Sequence, residues 1–119
     1  MKKLLLFVSI ILLSTGLQAQ DKEVVKESFY ANGNLKSQFV QVNAELIEAT
    51  YYFESGVIYE TGFFQEDALT GEWKTYNVNA ELLAVGYFSE GEKAGTWKIY
   101  QEGELFREIS YSEVQMAKN

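Results

Sequence analysis

The chain has 119 residues, of which 47% are hydrophobic and 15% aromatic, and it carries a net charge of −7. It contains no histidine and no cysteine, which excludes His-based triads, Cys nucleophiles, disulfides and ordinary zinc sites. The acidic balance disfavours nucleic acid and anionic lipid as partners, because both reward Lys and Arg.

Lys2 and Lys3 precede an apolar run from Leu4 to Leu13 that only Ser9 interrupts, and Leu17-Gln18-Ala19 follows with a small residue at its end. This is the layout of a secretory signal peptide. Residues 1–19 are therefore expected to be a cleaved signal helix, and the protein to be exported to the periplasm or beyond the cell. The alternative is an uncleaved N-terminal anchor, but the run falls short of the roughly 20 residues that span a bilayer. Cleavage after Ala19 leaves 100 residues, 17 aromatics and, without Lys2 and Lys3, a charge of −9. A domain of that size can build a sufficient core without disulfides.

From residue 24 to 111 the chain divides into four similar units within an expected domain of residues 20–111. Each has a ring-rich run, a polar tip and a second apolar run, the pattern of a β-hairpin. The tips are Asn32-Gly33, Ser55-Gly56, Asn79-Ala80 and Glu102-Gly103, and Gly33, Gly56, Ala80 and Gly103 are 23, 24 and 23 residues apart. A fixed period in this range marks a repeat architecture. Loop length follows from spacing: a two-residue loop sets residues five apart opposite one another, and a three-residue loop does so for residues six apart. Tyr30 to Leu35 and Tyr100 to Leu105 are five apart, which predicts two-residue loops in the first and last units. Tyr52 to Ile58 and Tyr76 to Leu82 are six apart, which predicts three-residue loops in the middle units. In the third unit the left-handed position then falls on Ala80, which is poorly suited to it.

Asn43 to Glu48 could instead form a helical turn, although the surrounding rings and β-branched residues favour strand. Longer exposed connectors are expected near 65–71 and 89–95. The tail, residues 112–119, opens with Ser112 three positions before Gln115, a capping-box spacing. In Leu82 to Phe88 both faces of a strand would be apolar, and in Leu105 to Tyr111 they would be mixed. This is not the clean alternation of a sandwich strand. The fold expected is all-β: one elongated antiparallel meander of about four stacked hairpins, stabilised by nearest-neighbour contacts.

Gly71-Glu72-Trp73-Lys74-Thr75-Tyr76 returns 24 residues later as Gly95-Thr96-Trp97-Lys98-Ile99-Tyr100. Together with Gly86-Tyr87-Phe88 and Gly91-Glu92-Lys93-Ala94-Gly95, the motif resembles the bacterial MORN-repeat variant family. Tyr51 to Gly56 with Glu60 to Phe64 is a weaker copy, and Phe29 to Ser37 is half of one. The resemblance implies an open β-meander with a scaffold or binding role. Bacterial relatives are often antitoxin-like, an assignment at odds with an export signal. The sequence departs from the motif at Ala80, at Ile47 where Gly-x-Trp is expected, and at Ile109-Ser110 where Gly-Tyr is expected.

Chemistry beyond binding has few candidates. Glu90 with Glu92, and Glu102 with Glu104, are close enough in sequence to suggest a carboxylate pair of the glycosidase kind; a solvated charged patch is the simpler reading. Glu66-Asp67 and Glu90-Gly91-Glu92 lack the ligand spacing of a calcium loop. No metal, cofactor or catalytic residue is therefore expected. Trp73, Tyr76, Trp97 and Tyr100 have two readings: core packing within the sheet, or an exposed aromatic ladder that stacks on a sugar or receives a peptide. The expected function is an exported, non-catalytic module that contacts a protein or cell-surface partner. It would use no nucleic acid and no membrane span after cleavage, and act as a monomer or an edge-paired homodimer. The alternatives are an antitoxin-like partner of a toxin and a small carbohydrate-binding or carbohydrate-acting protein that uses Glu side chains.

Overall fold

The computed structural model describes residues 22–111. The expected signal segment, 1–19, and the tail, 112–119, lie outside the described residues. Eight strands follow one another along the chain: β1 (Glu23–Phe29), β2 (Leu35–Gln41), β3 (Leu46–Tyr52), β4 (Ile58–Gln65), β5 (Ala68–Tyr76), β6 (Leu82–Ser89), β7 (Glu92–Gln101) and β8 (Glu104–Ser110). Each pairs antiparallel with the next, in the unbroken order β1 to β8, as one open sheet. At 4.7–4.9 Å per step the eight strands extend about 34 Å across the sheet.

Four of the turns carry the 23–24-residue period. At the β3–β4 tip Phe53 N–H donates to Val57 O (2.7 Å) and Gly56 N–H to Phe53 O (2.9 Å), which closes a three-residue loop. The β5–β6 tip repeats this with Asn77, Glu81 and Ala80, and Ala80 sits in the left-handed region at φ 67°. Asn77 Oδ1 accepts from Asn79 N–H (2.8 Å) and Glu81 N–H (3.0 Å), which supports the loop from within. The β7–β8 tip is the expected two-residue turn, with Tyr100 opposite Leu105 and both Glu102 and Gly103 at positive φ. The first tip differs from the expectation. Phe29, not Tyr30, pairs with Leu35, and Tyr30 N–H donates to Asn34 O across a three-residue loop that ends at Gly33. The physical reason lies in the tyrosine: its hydroxyl donates to Tyr52 O at 2.6 Å, which ties it to the neighbouring hairpin rather than across its own.

The segments expected as long connectors are tight turns. Gln65 pairs with Ala68 and Ser89 with Glu92, so Glu66-Asp67 and Glu90-Gly91 are two-residue turns with positive φ at every central position. Residues 43–45 form a turn rather than a helix: Asn43 Oδ1 accepts from Glu45 N–H (2.9 Å) and Leu46 N–H (3.0 Å), the side-chain mimic of a backbone turn.

The Gly-x-Trp motif is a bulge. Thr61 pairs with Lys74 and Phe63 with Thr70, so Gly71, Glu72 and Trp73 all oppose the single residue Gly62. Val85 pairs with Lys98 and Tyr87 with Ala94, so Gly95, Thr96 and Trp97 oppose Gly86 in the same way. Gly71 and Gly95 take φ 73° and 68° to make room for the extra residues, a conformation that glycine adopts without a Cβ penalty. Each indole then lies flat against the glycine on the preceding strand. A Cβ built on Gly62 would fall 1.9 Å from the Trp73 ring, and one on Gly86 would fall 1.9 Å from the Trp97 ring.

These contacts belong to one row across the sheet. Phe39 pairs with Ala49, Ala49 with Gly62, Trp73 with Gly86 and Trp97 with Ile109. Each small residue of the row lies beside a ring, Ala49 beside Phe39, Gly62 under Trp73 and Gly86 under Trp97, so the rings cover the gaps. The departure at the second unit thereby has an explanation. The ring there is on β2 (Phe39) and the small residue on β3 (Ala49), the reverse of the later units. Ser37, Ala49, Gly62, Gly86 and Trp97 are the buried residues of the described chain, and all lie on this face. The opposite face carries a largely polar row, Gln38, Thr50, Thr61, Lys74, Val85 and Lys98.

Candidate functional site

Both indoles and several other aromatic side chains lie on the row's face. Phe88, two residues after Gly86 on β6, meets both indoles edge-on, with centroids 5.7 Å from Trp73 and 5.3 Å from Trp97. Tyr111 continues the series at 6.2 Å from Trp97, and Phe64 meets Phe39 at 6.1 Å on the other flank. Edge-to-face pairs in this range add stabilisation beyond their buried area. Trp97 is only 9% exposed, and its Nε1–H donates to Tyr87 O at 3.1 Å. Trp73 is half-buried.

Of the four residues singled out in the sequence, the structure brings two together. Trp73 and Trp97 share the ring-bearing face through Phe88. Tyr76 and Tyr100 pair with Leu82 and Leu105 at the hairpin ends. Among the described residues no ring contact joins either tyrosine to an indole. The paired carboxylates Glu90 with Glu92 and Glu102 with Glu104 lie at two turns. Among the described residues no group of three or more acidic side chains comes together as metal ligands would.

A second cluster emerges at a repeat-specific bulge. The register slips by one residue near each periodic tip, at Lys36, Tyr59, Leu83 and Phe106. The residues that follow are Ser37, Glu60, Ala84 and Arg107. The bulge at Tyr59 turns two successive side chains toward the ring-bearing face. Tyr59 meets Tyr51 at 6.0 Å and Phe53 at 5.1 Å, while Glu60 pairs in register with Tyr51 on one side and Thr75 on the other. Trp73 Nε1–H donates to Glu60 Oε2 at 3.2 Å.

The electrostatics of Glu60 follow from this placement. Burial pushes its carboxyl above the usual carboxylate range, and the Trp73 hydrogen bond pulls it partly back. Among the described residues no ion pair involves Glu60; Lys74 pairs instead with Glu72, at 3.6 Å. Burial also raises Tyr51 and Tyr59, with the Glu60 charge as the next cause in each. Glu60, Tyr51 and Tyr59 do not stand out among the residues that the repeats share. They are marked by a difference between repeats: in the series 37, 60, 84 and 107 only position 60 is acidic.

No protein-family profile matches the chain, and no curated protein does. Among solved structures the sheet is similar to part of TarM, with a TM-score of 0.49 and 12% identity over 85% of this chain and 22% of that one. It is also similar to part of a point mutant of S. aureus TarM in complex with Fondaparinux, alpha-GlcNAc-glycerol and UDP. There the TM-score is 0.51 and the identity 8%, over 86% of this chain and 22% of that one. The chain thus spans about a fifth of the length of the structures it matches, and the likeness is one of fold.

Proposed function

We propose that the protein is an exported, non-catalytic repeat module that works by holding a partner against the ring-bearing face of its sheet. The observation that carries this reading is the single layer. Tyr51, Phe53, Tyr59, Trp73 and Phe88 occupy one face, all partly exposed, and among the described residues no second sheet or helix covers them. Aromatic side chains on a rigid sheet offer contact area at small entropic cost. The resemblance of the Gly-x-Trp repeats to the bacterial MORN variant supports a scaffold or binding role, and the signal-like first segment supports export.

The test is affinity capture from the envelope of the producing cell, followed by mass spectrometry. Wild type is expected to retain a partner that a Tyr51→Ser/Tyr59→Ser variant loses. Tyr87→Ser, on the opposite face at a residue 43% exposed, is expected to retain it. Retention that ignores the ring-bearing face would contradict the reading. Fractionation that leaves the protein in the cytoplasm would contradict export.

A further inference from the structure

Three lysines of this sheet sit on its rings. Lys26 Nζ lies 5.8 Å from the Phe39 centroid, and Lys36 Nζ lies 5.6 Å from that of Tyr30. Lys93 Nζ lies 5.1 Å from the Trp97 ring and 5.5 Å from Tyr111. All are within the range at which a cation is attracted to a ring face. These lysines occupy the flanks of the sheet, on β1, β2 and β7. In the centre, on β3 to β5, the described residues place no cation over Tyr51, Phe53, Tyr59 or Trp73. A carboxylate stands there instead.

That carboxylate is unusual in its surroundings. Glu60 is only partly buried, beside rings, receives one hydrogen bond from Trp73 and has no cation beside it among the described residues. The equivalent positions hold Ser37, Ala84 and Arg107. The fold therefore tolerates a small or neutral side chain there, and the scaffold does not require an acid. A partly buried carboxylate with no cation of its own, next to ring faces, is complementary to an organic cation that contacts both. The chain's own choice on this face is an ammonium in each case, whereas Arg107 makes no ring contact among the described residues.

We propose that Glu60, Tyr51, Phe53, Tyr59 and Trp73 form a binding site for an alkylammonium group supplied from outside the chain, of the kind that a lysine side chain or a free polyamine carries. The proposal rests on reading the ring-bearing face as the binding face. The carboxylate supplies the charge and the rings supply the walls. The Trp73 N–H bond holds the carboxylate on that face.

The experiment is a titration of the full chain, followed by the indole N–H resonance of Trp73. Three probes are used: cadaverine, a short peptide with one lysine, and the same peptide with norleucine in its place. Both amines are expected to give a saturable shift and the norleucine peptide none. Glu60→Gln, which keeps an acceptor for Trp73, and Tyr59→Leu, which keeps the carboxylate, should each weaken the response by about tenfold. Glu72→Gln on the other face should leave it unchanged. Cadaverine bound as tightly as the lysine peptide identifies free polyamines as the source, and a clear preference for the peptide identifies a protein lysine. No saturable shift with either amine, an equal response to norleucine, or undiminished binding by Glu60→Gln would overturn the proposal. If capture still depends on the ring-bearing face in that event, the site's ligand is wrong and the binding face stands. If capture ignores the face as well, both readings fall.

Discussion

Ala80 shows what the repeat demands of one residue. Its φ of 67° is required by the three-residue loop, and an L-residue there carries a penalty of roughly 1–2 kcal/mol that glycine avoids. Glycine loses part of this advantage through its freer unfolded state. Ala80→Gly is expected to stabilise the fold by about 1 kcal/mol, seen as a higher Tm; a lower Tm would refute the loop assignment. Glu60 gives a residue-scale prediction of opposite character. Its folded carboxyl ionises at higher pH than the unfolded one, so its cost is absent below the ordinary carboxylate range. The cost grows as pH rises through the interval between the two and is full above it. The group is more than half exposed, so solvent screens much of the effect. Glu60→Gln should raise Tm at pH 7 by about 1–3 °C, and the gain should vanish near pH 3. A gain of equal size at both pH values would show that burial of charge is not the cause.

At the scale of the element, the Gly-x-Trp phrase turns out to describe an event between strands. Gly71 and Gly95 open a bulge, and the tryptophan that follows spreads over a glycine on the strand before. Two kinds of glycine are thereby distinguished. Gly95→Ala strains only the backbone, since the nearest atom to an added Cβ is a Tyr87 carbon at 3.7 Å; a loss of about 1–2 kcal/mol is expected. Gly86→Ala forces the Trp97 ring out of place, and a loss of about 3 kcal/mol is expected. Chemical denaturation of the two variants measures the difference, and an equal cost would contradict the ring-over-glycine contact. Much of this level was legible in the sequence. The period, the middle tips and the last two-residue turn follow from Tyr52–Ile58, Tyr76–Leu82 and Tyr100–Leu105 spacing. The first tip was not legible, because Tyr30 is held by a hydrogen bond to Tyr52 O that spacing does not encode. The turns at Glu66-Asp67 and Glu90-Gly91 were hidden for a related reason: residues 71 and 95 read as loop glycines, yet they serve inside strands. Glu60 was hidden because a search for shared residues overlooks the position at which one copy differs.

At the scale of the molecule, the substantial contacts all run between consecutive strands, so stability accumulates from neighbour to neighbour, as in other linear repeats. The edges are β1 and β8. β1 carries Lys26 and Glu27 with a bulge at Val25, and β8 carries Glu104, Arg107 and Glu108; charges and bulges of this kind discourage pairing with another chain. What unifies the sheet is the row from Phe39 to Ile109, in which each small residue is covered by a neighbouring ring. It explains why the Gly-x-Trp phrase recurs and why both indoles share one face. The most direct test of that row is the proton NMR spectrum of the glycines. Of the nine glycines in the chain, Gly62 and Gly86 should show Hα signals displaced far upfield by the indoles above them, and Trp97→Leu should return Gly86 alone to an ordinary position. Ordinary shifts for both glycines in the wild type would contradict the account.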